Sequence, residues 1–94
     1  MQAADLDKLR AEAQQIIDKL KTERDELKVR MHLARAEVRE EWDKVEGRWH
    51  ELEHKARQLG AAASTSSKDI GVAMHLLGDE VTHAYQRIRR TLDS

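Results

Sequence analysis

Apolar side chains recur every three or four residues along the first two thirds of the chain, at Leu6, Leu9, Ala13, Ile16, Leu20, Leu27, Met31, Ala34, Val38, Trp42, Val45, Trp49, Leu52, Ala56 and Leu59, with Arg24 taking one step of the same ladder. Steps of three and four keep these positions on one face of an α-helix, whereas a strand would need strict alternation. The pattern predicts one amphipathic helix over residues 3–59, which at 1.5 Å per residue would reach ~85 Å. Its polar faces carry an acid four residues before a base at Glu26 and Arg30, Glu40 and Lys44, Glu51 and Lys55, and Glu53 and Arg57. Each such pair adds ~0.3 kcal/mol to a helix in water. Two steps of four fall together at Ile16, Leu20 and Arg24 and again at Ala34, Val38 and Trp42, where a left-handed supercoil relaxes and a nearly straight rod is expected.

Gly60 follows the last ladder residue, and Ser64, Thr65, Ser66 and Ser67 come soon after it. Glycine there is a helix-ending signal, and Ser66 with Asp69 fits a capping box, so a turn is expected over 60–66 and a second helix over 67–92. That helix has its own ladder of Ile70, Met74, Leu77, Val81, Ala84, Ile88 and Leu92. The competing arrangement is one continuous long helix, because Leu59, Ala63, Ser66 and Ile70 also step by four and three and no proline intervenes. The fold class expected is all-α: a single domain, residues 1–94, forming a long antiparallel helical hairpin with unequal arms, a coiled coil.

A turn centred near residue 63 or 64 sets Trp42 near Tyr85, Trp49 opposite Gly78 and Ala56 opposite Gly71, so that large indoles meet bare backbone. Ser94 then reaches back only to about residue 33. Leu6, Leu9, Ile16, Leu20 and Leu27 are left without a partner in the chain, and a second subunit is expected to cover them. The expectation is a homo-oligomer, most simply a two-fold dimer forming a helical bundle. Arg24 is expected to lay its stem along the seam and reach round to solvent.

Composition supports this picture and narrows the functions. Charged residues are 37% of the 94 and aromatics 3%, with no proline, phenylalanine or cysteine, the profile of long helices. Seventeen basic and 18 acidic side chains are interspersed, so no single-sign field is available to hold nucleic acid. No apolar run is long enough to cross a bilayer, and residues 1–10 lack the plan of a signal peptide, which predicts a soluble, cytoplasmic protein.

Histidines supply the motifs closest to chemistry. His50-Glu51-Leu52-Glu53-His54 matches H-E-x-x-H, in which two histidines one turn apart hold zinc and the glutamate is a general base. With Trp49 and Leu52 on the seam, His50 and His54 fall on outward faces, so the most this offers is a surface metal site at Glu46, His50 and His54. Glu51-x-x-His54 and Glu80-x-x-His83 repeat the Glu-x-x-His spacing of di-iron bundles, but antiparallel pairing sets Glu51 near residue 76 and away from Glu80. His32 and His75 read as surface residues. No catalytic residue and no cofactor is assigned.

The stretch REEWDKVEGRWHELEHKARQLG, followed by SKDIGVAMHLLGDEVTHAYQRIR with Gly71 and Gly78 seven apart, resembles small uncharacterised bacterial coiled-coil proteins. The resemblance implies a helical, soluble, bacterial protein and carries no functional residues with it. The expected function is a non-enzymatic structural or protein-interaction protein that self-associates through its apolar seam. The alternatives are peripheral binding of a lipid or granule surface, which the narrow stripe and unsegregated lysines and arginines disfavour, and a metal-binding helical bundle.

Overall fold

A computed structural model of the chain describes residues 3–61 and 64–94, with side chains for 6–61 and 67–94. Three helices account for nearly all of them: α1 (Ala3–Arg30), α2 (Ala36–Ala61) and α3 (Ser64–Asp93), with a single 3₁₀ turn at Met31–Leu33. Among the described residues there is no strand.

The helix expected over 3–59 is broken between Arg30 and Ala36. Met31–Leu33 tighten into 3₁₀ geometry, Ala34 turns to an extended ψ of 154°, and the Ala34 N–H closes the turn on the Met31 carbonyl at 3.0 Å. Arg39 of α2 caps carbonyls of this turn. Its Nε donates to the Met31 carbonyl at 3.1 Å and its Nη2 to that of His32 at 2.8 Å. Periodicity is blind to this break, since Leu27, Met31, Ala34 and Val38 stay in phase across it, and Met31 and Val38 are both buried. The chain therefore folds back where a straight rod was expected.

The second reversal sits close to the expected turn over 60–66 with tighter limits: Gly60 and Ala61 continue α2, Ser64 already belongs to α3, and residues 62–63 lie outside the described residues. The capping box at Ser66 lies outside the described side chains. Ser67, expected at the start of the second helix, is a buried residue within α3.

Ion pairs and ring contacts define how the helices run. Arg87 meets Glu41 at 3.0 Å, Arg48 meets Glu80 at 3.0 Å, and the Trp42 and Tyr85 rings stack with centroids 5.9 Å apart, so α3 lies antiparallel to α2. Arg24 meets Glu46 at 2.7 Å, and Arg10 Nε donates to the Leu59 carbonyl at 3.3 Å, so α1 is also antiparallel to α2. Glu12 with His75, Glu26 with Arg89 and Arg30 with Asp93 then align α1 parallel to α3. The result is an up-down-up bundle measuring 48 × 17 × 16 Å, which overturns the continuous-helix alternative.

Two further expectations change with it. The N-terminal arm is not left bare: Leu20 is 2% exposed and Leu27 1%, while Leu6, Leu9 and Ile16 pack against the core as partly buried side chains. The stripe that called for a second subunit is covered by α2 and α3 of the same chain. The glycines face α1 and not the tryptophans, since a Cβ at Gly71 would stand 3.2 Å from Leu9 Cδ2 and one at Gly78 would stand 3.1 Å from Ile16 Cγ2. These two bare positions let α1 lie close against α3. The seam residues Val38, Trp42, Val45, Trp49, Leu52, Leu59, Val81 and Ile88 are buried, with Ile70 and Leu77 packed at their edge.

Candidate functional site

One polar constellation is built into the interior. Arg24, a ladder residue of α1, points at α2, where its Nε and Nη2 donate to the two carboxylate oxygens of Glu46 at 2.7 Å each. Its guanidinium carbon lies 5.6 Å from the Trp49 ring centroid, a cation held over an indole face. Arg24 thus stays within the bundle instead of reaching free to solvent. The reason is geometric: folding back at 31–35 brings Glu46, 22 residues away in sequence, to the same level as Arg24. A planar fork on a carboxylate is the strongest of the ordinary ion-pair geometries. The hydrogen bond to Glu46 raises the Arg24 guanidinium above its ordinary pKa, against an opposing effect of burial.

Tyr85 lies beside this pair, 1% exposed and stacked on Trp42. Burial pushes its phenol upward, and the Glu46 carboxylate pushes the same way. Among the described residues neither the Tyr85 hydroxyl nor Glu23 Oε2 has a hydrogen-bond partner, although both atoms are buried. The arrangement clamps three helices together.

The surface metal site expected at Glu46, His50 and His54 does not assemble. Glu46 is engaged by Arg24, and His50 stands 3.9 Å from Glu46 through Nε2 while its Nδ1 meets Glu53 Oε1 at 3.2 Å. Among the described residues no three histidine, aspartate or glutamate side chains gather in a ligating cluster. The antiparallel register of Trp42 with Tyr85 and Arg48 with Glu80 sets Glu51 at the level of residues 76–77, one turn from Glu80, and the link between the two carboxylates is Arg48, which reaches Glu51 at 3.2 Å and Glu80 at 3.0 Å. Both carboxylates are thus engaged by a cation of the protein itself.

An open trough of about 710 Å³ runs between α2 and α3, lined by residues of those two helices. Val45, Gly47 and Ala84 line it together with Glu37, Glu40, Glu41, Lys44, Arg48, Glu51, Glu80 and Arg87. Its walls are banded in both signs of charge, with the Arg48–Glu80 and Arg87–Glu41 pairs bridging its sides. Among the described residues the large apolar side chains left exposed are Val29, Leu33, Val72 and Leu76. Sequence reasoning missed the trough, whose one local signal is Gly47, the single glycine inside α2's run of helix formers before Gly60.

No protein-family model, curated protein or solved structure matches the chain. Among the described residues no helix is long and apolar enough to cross a membrane.

Proposed function

We propose that this chain is a non-enzymatic structural or protein-interaction element that works through helix–helix packing, with a second copy of itself among its partners. One observation carries the reading. Apart from Val29, Leu33, Val72 and Leu76, the large apolar side chains among the described residues all pack into or against one core, and the interior ion pair joins helix to helix. Side chains used in this way make a rigid body with a patterned surface. The α2/α3 trough, with charge of both signs on a small-residue floor, suits a helical segment of a protein better than an anionic membrane.

The test is a photoreactive residue at Lys44, in the trough, activated in cells that make the protein. Discrete protein adducts that disappear when Arg48→Glu and Arg87→Glu reverse the trough's charge are the expected result. Adducts with lipid alone, or flotation of the protein with anionic vesicles, would replace this reading with the peripheral lipid-binding one.

A further inference from the structure

Four of the five residues in the break between α1 and α2, all but His32, are strong helix formers. Met31, His32, Leu33, Ala34 and Arg35 include no glycine and no proline, and no residue among those described adopts a positive φ. What holds the break is small: the 3₁₀ bond from Ala34 to Met31, the Arg39 bonds to two carbonyls, and the exposed Arg30–Asp93 pair. Leu27, Met31, Ala34 and Val38 step by four, three and four, so joining α1 to α2 as one helix keeps both core faces on the same side. Closure of α1 onto its own chain is therefore favoured by packing against α2 and α3, while the local chain at 31–35 favours staying straight.

The geometry points to a domain-swapped dimer, in which residues 31–35 extend into a continuous helix over 3–61 and α1 of each chain docks on α2 and α3 of the other. The pairing of Arg24 with Glu46 and of Arg10 with Leu59 is about symmetric around residue 35. Two straightened helices crossing antiparallel at that residue therefore bring Arg24 to Glu46 and Arg10 to Leu59 between partners. The Arg24–Glu46 pairing of α1 with α2 is kept, the Arg39 cap is given up, and new helical hydrogen bonds form through 31–35. The balance between closed monomer and swapped dimer is then set by concentration, as expected where a short hinge joins elements that can pack equally well in trans. This names the second copy of the proposed function and rests on that reading only there, since a partner of another kind in the trough is detected by the Lys44 adducts whether or not swapping occurs.

Two single variants of the full chain test it. Arg24→Glu and Glu46→Arg each set like charges against each other in a closed monomer, but a swapped mixed dimer pairs each introduced charge with its opposite at both crossings. Mixed one to one after unfolding and refolding, they are expected to form a mixed dimer at a concentration at least about tenfold below that at which either dimerises alone. Scattering should show a rod of roughly 90 Å or more in place of the 48 Å bundle. Adding Ala36→Pro to both chains places proline at the first position of α2, where the closed bundle accepts it and a continuous helix does not, and should abolish the mixed dimer. A mixture that remains two separate monomers overturns the inference. So does a mixed dimer that survives Ala36→Pro, because its partners would then be joined by another surface.

Discussion

Gly78 of α3 stands so close to Ile16 of α1 that a Cβ on it would lie 3.1 Å from Ile16 Cγ2. Cγ2 is one bond from a branched Cβ and cannot swing aside without moving the helix. Gly78→Ala is therefore expected to destabilise the bundle by about 1 kcal/mol, the overpacking outweighing the gain in helix propensity. Gly71→Ala meets the flexible end of Leu9 at 3.2 Å and should come out near zero. Gly47→Ala, in α2 with nothing within 4 Å of the new methyl, should stabilise by about 1 kcal/mol. Urea unfolding of the three variants orders them, and equal effects at Gly78 and Gly47 would contradict the close approach of α1 to α3.

Arg24 and Glu46 hold α1 to α2 through two charge-assisted hydrogen bonds, each side chain retaining about a fifth of its exposure or less. Glu46→Gln keeps the shape and removes the charge, and should cost about 1–2 kcal/mol. Arg24→Ala also removes the cation from the face of Trp49, so it should cost more and shift the tryptophan emission in a Trp42→Phe background. Loss of stability in Glu46→Gln without any further loss in Arg24→Ala would mean that the stacking contributes nothing.

Tyr85 gives the protein an alkaline limit. Burial raises its phenol above the ordinary value, so the folded chain holds a proton that the unfolded chain releases from about pH 10. This contribution is fully present below about pH 10 and declines above it by up to about 1.4 kcal/mol per pH unit. Tyr85→Phe should remove that decline. It should also raise stability near neutral pH by about 1 kcal/mol, because the hydroxyl is buried without a partner among the described residues. Tyr85 is the chain's one tyrosine, so phenolate absorbance follows its ionisation directly.

Much of the helix content and one pairing were legible in the sequence. The four-three steps place the ladder on one face, and a reversal near residue 63 or 64 sets Trp42 on Tyr85 by counting alone. The break at 31–35 was not legible, because helix periodicity is a property of local spacing and Leu27, Met31, Ala34 and Val38 remain in phase across it. The two signals it left were the paired steps of four beginning at Ala34 and the off-ladder Leu33, which the structure leaves 86% exposed. Missing the break carried other errors with it. It left Leu20 and Leu27 without a partner, turned Gly71 and Gly78 toward the tryptophans, and separated Arg24 from Glu46. A contact spanning 22 residues depends on where the chain reverses, and no local pattern encodes it.

Within one chain α1 folds back along α2, bringing Arg10 to Leu59 and Arg24 to Glu46. The sequence has no native cysteine, so Ala11→Cys and Gln58→Cys on exposed faces of α1 and α2 accept a pair of spin labels cleanly. Measured at a concentration low enough that chains do not meet, the bundle predicts a label separation below about 30 Å. A separation near 70 Å, the length of an unbroken helix between those residues, would contradict the fold-back and everything built on it.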